Sequence, residues 1–422
     1  MMDDTTLITS SDDATWIRND DTRSRPNRPM GFPHRSVPTD ADEGPVHRVP
    51  EYAGSRISTL QGMTASQGMT VNGRPGHDTA SCDDTDAVLA LKRGFDALAD
   101  NIGKVVVGKS LPVRLCVTAL LADGHVLIED EPGTGKTQLA KGLARSLDVS
   151  FGRIQFTADL LPSDILGVTF YDRDSSSFSF RPGPVFASIV LADEINRASA
   201  KTQSALLEVM DEHRVTADGT VHDVPQPFMV VATQNPADHL GTYRLPEAQL
   251  DRFMIVAALG HPGHETSLAL ARQLDVPDRS ATVSPVLDGP RVLALRRMAG
   301  SIHVAAGMLD YAVRVVEHVR SSEATASGPS TRGLLALVRC ARIWAAADGR
   351  GHVIPDDIKT LAPFVIAHRL TLRPDAVLAG DTGGTVVSRA LDEVPVPRSG
   401  TSSKSGKPSA AYARKRMPQR DA

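Results

Sequence analysis

Apolar residues begin to recur at helical spacing near Asp86. Val88, Leu91, Phe95, Leu98 and Ile102 step by three and four, which is one face of an amphipathic helix. "VVVGK" (Val105 to Lys109) follows, and then a second apolar helix runs through "LPVRLCVTALLADG". From His125 the pattern changes to short β-rich runs alternating with helices. "HVLIE", "FGRIQF", "SIVLAD", "PFMVVAT" and "MIVAAL" are predicted strands, and Lys136 to Leu147 and Ser199 to Glu212 are predicted helices. That alternation predicts an α/β fold, a parallel sheet with helices on both faces. Two stretches interrupt it. Leu161 to Phe186 stands where one helix should connect two strands. Arg214 to Val224, with Asp218-Gly219 at its centre, reads as a β-hairpin.

From His261 to about Pro374 the pattern is helical, broken by the polar "RSSEATASGPSTRG", and predicts a smaller all-α lid domain. The ends of the chain differ in composition. Residues 1–82 are rich in Asp, Ser, Thr, Gly, Pro and Arg without a sustained apolar period, so a disordered tail is expected. Met63 and Met69 fall inside it as alternative starts. Residues 381–422 are expected to form a disordered basic tail, in which Arg414-Lys415-Arg416 reads as a solvated end. The expected organisation is a tail over 1–82, an α/β domain over 83–260 and a helical lid over 261–380.

Composition narrows the class. Lys+Arg 46 against Asp+Glu 50 gives a net charge of -4, which does not suggest a general nucleic-acid binder. The cysteines, Cys82, Cys116 and Cys340, form no C-x-x-C, so neither a disulfide framework nor a zinc site follows. The first residues are acidic and lack an apolar core, so no secretory signal is expected. No stretch reaches the ~18 consecutive apolar residues of a membrane helix. A cytoplasmic protein is the expectation. Aromatic content is 4%, leaving Ala, Val and Leu to build the core.

The chemistry starts at "EDEPGTGKTQLA" (Glu129 to Ala140). Gly135-Lys136-Thr137 completes a phosphate-binding loop, but Asp130 holds the place of the first glycine. The donors that cradle phosphate come from the later part, about Gly133 to Thr137, where the backbone runs into a helix N-terminus. Lys136 supplies charge to the outer phosphates, and the Thr137 hydroxyl is a suitable Mg²⁺ ligand. The first glycine only turns the chain out of the strand. Aspartate is expected to replace it because it tolerates a left-handed backbone, with Pro132 stiffening the turn. Glu131 adds a negative charge that is harmless when it points to solvent.

Further candidates sit at predicted strand and helix ends. In "SIVLADEIN" a buried strand delivers Asp193, a Mg²⁺ ligand through water, and Glu194, a base or orienter for an attacking water. Asn235 follows another apolar strand; it either positions that water or is a turn residue before Pro236. Arg252, in "LPEAQLDRF", is by spacing a surface ion-pair partner of Asp251 or Glu247, and alternatively an arginine finger on the transferred phosphoryl group. Arg332 stands in the first turn of a helix, where the dipole does not favour it. A nearby phosphate would explain it. His261 and His264 flank Pro-Gly and read as turn residues.

Together these segments closely resemble the MoxR family of AAA+ ATPases, densely from about Val105 to Leu259 and more loosely to Leu370. The loop, "FGRIQFTADLLPSDILGVTFYD", "FRPGPVFASIVLADEINRASAKTQSALLEVMDEHRVT", "VVATQNP" and "GTYRLPEAQLDRF" carry the resemblance. It implies ATP and Mg²⁺ as ligands, with Pro132, Gly133, Thr134, Gly135, Lys136, Thr137 and Gln138 in the Walker A loop. Asp193 and Glu194 are the implied Walker B pair, Asn235 sensor 1, Arg252 the arginine finger and Arg332 sensor 2. Gly108 of "VVVGK" would lie against the adenine. The interruptions resemble the helix-2 insert and the pre-sensor-1 hairpin of that clade. The resemblance also implies a homo-oligomeric, hexameric ring with chaperone-like action on a client or adaptor protein, often one with a von Willebrand factor A domain, or in metal insertion. Rival readings are a nucleotide-gated scaffold that barely hydrolyses and a DNA-remodelling motor. The chain departs from the family pattern at Glu131, where an apolar residue is commoner, at Gly260-His261-Pro262 for G-Y-P, and at Ser330-Thr331-Arg332 for S-P-R.

Overall fold

Strands form where the β-rich runs predict them. The computed structural model describes residues 82–131, 133–236, 242–272 and 278–397. Pro132, Met63, Met69 and the basic end at Arg414-Lys415-Arg416 lie outside the described residues, as does nearly all of the expected N-terminal tail. Helices α1 (Cys82–Val105) and α2 (Ser110–Leu121) lead into β1 (Val126–Glu129), and α3 (Lys136–Ser146) follows the phosphate loop. Next come β2 (Phe151–Gln155), α4 (Pro162–Leu166), the pair β3 (Gly167–Asp172) and β4 (Ser177–Pro182), β5 (Ile189–Asp193) and α5 (Ala200–Glu212). The hairpin β6 (Arg214–Ala217) and β7 (Thr220–Asp223), then β8 (Met229–Gln234), α6 (Glu247–Leu250) and β9 (Ile255–Ala257) complete this part.

The five-stranded sheet has the order β2-β5-β8-β1-β9, and its pairings are parallel. Alternation sorts its side chains between two cores. Val126, Ile128, Ile189, Leu191, Met229 and Val231 face one, and Leu127, Val190, Ala192, Val230 and Ala232 the other. The first interruption is α4 with the β3–β4 hairpin. The second is the β6–β7 hairpin, whose Asp218 and Gly219 both have positive φ, as a tight two-residue turn requires.

Beyond β9 the chain is helical: α7 (His264–Ala271), α8 (Gly289–Met298), α9 (Ala306–Ser321), α10 (Thr331–Ala347), α11 (Pro355–Ile366), α12 (Pro374–Leu378) and α13 (Gly383–Glu393). The polar break contributes β10 (Thr325–Ser327), which pairs with β11 (Thr371–Leu372). Among the described residues this lid region has no separate core. Tyr311, Leu337 and Leu361 belong to the same buried cluster as Leu98, Leu120 and Val126. The expectation of a disordered tail from residue 381 is corrected by α13. Thr382 caps it by accepting from Thr385 N, and Val386, Val387, Ala390 and Leu391 are buried, enough apolar contact to order a helix that one Gly-Gly start obscured in the sequence. No helix of the described residues is long and apolar enough to cross a membrane.

One buried cation fastens the lid to the sheet. The Arg369 side chain is 2% exposed; its Nε meets Asp251 Oδ1 at 2.7 Å, and its Nη2 donates to the carbonyls of Asp251 and Phe253. His368 Nε2 donates to the same Phe253 carbonyl at 3.0 Å. Both contacts lie just before β9, at the N-terminal edge of the sheet.

Candidate active site

The phosphate loop joins the C-terminal end of β1 to α3, so its backbone N–H groups point where a helix dipole favours an anion. Gly133 and Gly135 have φ of +84° and +100°, with open space where a Cβ would stand. No side chain caps α3, and its first turn carries no acid. Uncapped donors with open space at Gly133 and Gly135, followed directly by Lys136 and Thr137, are a donor set that fits a nucleoside triphosphate with Mg²⁺. A cavity of about 240 Å³ adjoins the loop, walled by Val105, Val107, Gly133, Thr134, Gly135, Gln138, Pro262, Leu270 and Arg279. Gly108 turns the chain at φ +74° and packs so closely on α7 that a Cβ would stand 2.6 Å from Thr266 Oγ1. Its neighbours therefore wall the cavity while Gly108 itself sets the spacing to α7. Gln138 accepts from Ser280 N, and Thr134 Oγ1 donates to the Glu131 carbonyl.

Asp130 does not act as the sequence predicts. It is not among the residues with positive φ. Instead its carboxylate is 9% exposed as a residue and accepts backbone N–H bonds from Leu259, Gly260 and Glu131, at 2.8, 2.7 and 3.0 Å. Lys136 Nζ donates to the Asp130 carbonyl at 2.6 Å. Glu131 does point to solvent, and it meets His261 Nε2 at 3.0 Å. Two departures from the family pattern are thus partners in space, although a contact so exposed contributes little to stability.

The strand ends beside the loop carry the acids. Thr233 of β8 links both: its hydroxyl donates to Asp193 Oδ1 at 2.7 Å and accepts from Glu194 N at 2.9 Å. Arg153 Nη2 donates to Asp193 Oδ2 at 2.8 Å. Glu194 sits at φ 56°, ψ 49°, a left-handed geometry uncommon outside glycine and frequent at functional sites. Its Oε2 is met by Arg197 Nε at 2.7 Å and by Gln155 Nε2 at 3.2 Å. Asn235 leaves β8 at the same edge and lines a cavity with Asn196 and Arg244. β5, β8 and β1 are neighbours, so Asp193 lies two strand spacings, about 10 Å, from β1.

Arg252 and Arg332 are elsewhere. Arg252 Nε meets Asp211 Oδ2 at 2.7 Å, and Arg332 Nη1 meets Asp211 Oδ1 at 3.0 Å. Neither partner offered by spacing is used: Asp251 pairs with Arg369 and accepts from Ser330 Oγ. Asp211 lies in the last turn of α5, which runs back antiparallel to the strands, and Arg252 precedes β9. The pair therefore stands at the N-terminal edge of the sheet, and the phosphate loop at the C-terminal edge. β1 alone spans about 13 Å between those edges, more than one arginine side chain reaches. The arginines open on a cavity of about 470 Å³ shared with Arg339 and Arg369. In its floor His125 Nδ1 accepts from Val230 N and Nε2 donates to the Met210 carbonyl. Burial pushes His125 down to about 4. Sequence reasoning missed Asp211, Arg279 and Arg369: Asp211 stands inside a segment that carries the family resemblance but was given no role there, and the two arginines lie in no quoted motif.

Residues 125–255 match the ATPase family associated with various cellular activities (AAA), and residues 317–390 match the AAA lid domain. The chain is 43% identical over 298 residues to the protein YeaC of Bacillus subtilis (strain 168), covering 71% of this chain and 93% of that one. It is 39% identical over 306 residues to Chaperone MoxR1 of Mycobacterium tuberculosis, covering 70% and 81% respectively. A solved chain from Cytophaga hutchinsonii superposes with a TM-score of 0.70 at 34% identity, covering 75% of this chain and 98% of that one. With these two family matches and relatives of this identity and extent, the chain belongs to the MoxR family of AAA+ ATPases.

Proposed function

We propose that this chain is a Mg²⁺-dependent ATP hydrolase that works in the cytoplasm as a hexameric ring and uses turnover to remodel or mature a partner protein. One observation carries the ring: the phosphate loop and the Arg252–Arg332 pair occupy opposite edges of one sheet. A head-to-tail association brings the arginine edge of one copy to the nucleotide of the next, and such contacts close into rings when the rotation allows. Within a site, Lys136 holds the outer phosphates, while Thr137 and Asp193 would hold Mg²⁺. The ion, when bound, neutralises phosphate charge. Glu194 accepts the proton of the attacking water and Asn235 orients it. Arg252 and Arg332 of the adjacent copy meet the charge that develops on the transferred group. The chain divides near residue 260 into an α/β domain and a lid that shift against each other during turnover.

Support for a protein client comes from the two hairpins. Phe170, Tyr171, Phe178 and Val221 are exposed, Tyr171 packs edge-on against Phe178, and Phe180 stacks on His222 across the hairpins. Exposed aromatics of this kind suit a protein surface. The Mycobacterium relative is named a chaperone, and a client or adaptor with a von Willebrand factor A domain is the expected class. The test is steady-state ATP hydrolysis by the wild type, Lys136→Ala and Glu194→Gln, with and without DNA, beside sedimentation with nucleotide. Hydrolysis lost in both variants, indifferent to DNA, and a hexamer in the wild type are the expected results. Stimulation by DNA would favour a remodelling motor instead.

A further inference from the structure

Asp130 occupies a place that a glycine fills in the general loop, and its carboxylate does what a glycine has no atoms to do. Oδ2 accepts from Leu259 N and Gly260 N together, at 2.8 and 2.7 Å, and Oδ1 from Glu131 N at 3.0 Å. Leu259 and Gly260 are where the chain leaves β9 for α7. Gly260 turns there at φ +64°, and its carbonyl accepts from Lys109 Nζ at 2.6 Å. Two residues on, Pro262 walls the nucleotide cavity. On its other side, Asp130 offers its own carbonyl to Lys136 Nζ, the group that must turn to reach phosphate. One buried residue thus touches both the lysine of the loop and the start of the lid connection. Hydrogen bonds to a carboxylate are the stronger kind, and two on one oxygen from successive residues fix both position and direction.

We propose that Asp130 is a positioning residue that couples the state of the nucleotide loop to the Leu259–Gly260 junction and so to the lid. The inference rests on the reading of the loop as the ATP site. When Lys136 leaves the Asp130 carbonyl for the phosphates, the shoulder of the loop shifts, and the carboxylate carries that shift to the junction. A residue needed only to turn the chain would be replaceable by glycine without loss.

Asp130→Gly restores the general loop pattern and removes the carboxylate, so the full-length protein is compared with that variant and with Asp130→Asn. The readouts are affinity for a fluorescent ATP analogue, kcat, and amide hydrogen exchange at Leu259–His261 with and without nucleotide. Asp130→Gly should bind within about threefold of the wild type while kcat falls about tenfold or more. The nucleotide-dependent exchange change seen at the junction in the wild type should vanish. Asp130→Asn retains one carbonyl oxygen for the paired N–H groups but turns an amide toward Glu131 N. It should keep a reduced exchange response, and it decides the matter if Asp130→Gly does not fold. Wild-type kcat in Asp130→Gly, an unchanged response in both variants, or no response in the wild type would overturn the coupling. Failure of the underlying ATP-site reading shows separately, as undiminished nucleotide affinity in Lys136→Ala.

Discussion

Mixing two inactive variants tests whether a working site is divided between copies. Lys136→Ala removes the charge on the outer phosphates but leaves Arg252 and Arg332 on Asp211. Arg252→Ala keeps the loop and removes the arginine. Each alone should hydrolyse at least about 10³-fold slower than the wild type, the usual cost of a missing arginine finger. In a mixed ring, an interface works when a Lys136→Ala copy presents its arginine to an Arg252→Ala copy. Random equal mixing makes that arrangement at about one quarter of interfaces, whatever the ring size, because each of the two conditions is met half the time. Activity should therefore recover to about a quarter of the wild-type value per subunit, with independent sites.

The assay is steady-state phosphate release after subunit exchange, with exchange followed by energy transfer between labelled copies. Recovery should rise with total protein and fade on dilution, as the interface does. If Arg252 served its own subunit, no arrangement of the two variants would hold both parts of one site, and recovery would be absent at every ratio. Confirmed exchange without recovery would refute the division of the site. The distance across the sheet makes that outcome unexpected, since β1 alone separates the two edges by about 13 Å.

Glu194→Gln should bind ATP as the wild type does and turn over about 10²-fold or more slowly, read by nucleotide titration beside phosphate release. Arg369→Met should lower unfolding stability by about 3–5 kcal/mol, read by chemical denaturation, because Asp251 and the carbonyls before β9 lose a cation that is almost fully buried. Stability should also depend on His125. Its folded value is about 4, below the ordinary 6.5, so the unfolded chain binds the extra proton between those values and stability falls as pH drops through that window. The loss should approach roughly 3 kcal/mol by pH 4, and His125→Gln should flatten the slope.

What was legible in the sequence was local. The β-rich runs at Val126–Glu129 and Ile189–Asp193, the Asp218-Gly219 turn and the bend at Gly133 and Gly135 each form through neighbours in the chain. Partners distant in sequence were not legible. Spacing offered Arg252 two acids within five residues, and the fold gives it Asp211 instead. Asp130 was readable as a tolerated turn residue, but its role depends on two N–H groups that arrive only when β9 pairs with β1. The lid presented a helical pattern suited to a separate domain. Which side of α1 and α2 it would cover, and that Arg369 would anchor it, depends on packing that periodicity does not encode.

β9 gives the two ends of the site a physical connection. Arg252 precedes the strand and Leu259–Gly260 follows it, with only Ile255–Ala257 in ladder pairing between. On the proposed reading, the chain registers its own nucleotide at the far end, through Asp130, and acts on its neighbour's at the near end, through Arg252. The lid meets both ends. α7 follows the junction, while Arg332 from α10 shares Asp211 with Arg252, and Arg369 and Ser330 hold Asp251 beside it. A shift of the lid therefore cannot move one arginine without straining the carboxylate that holds the other. Packed elements of this kind switch between discrete arrangements more readily than they deform. Occupancy of one loop would then set whether the adjacent site has its arginines in place, which passes a nucleotide state from copy to copy in one direction around the ring.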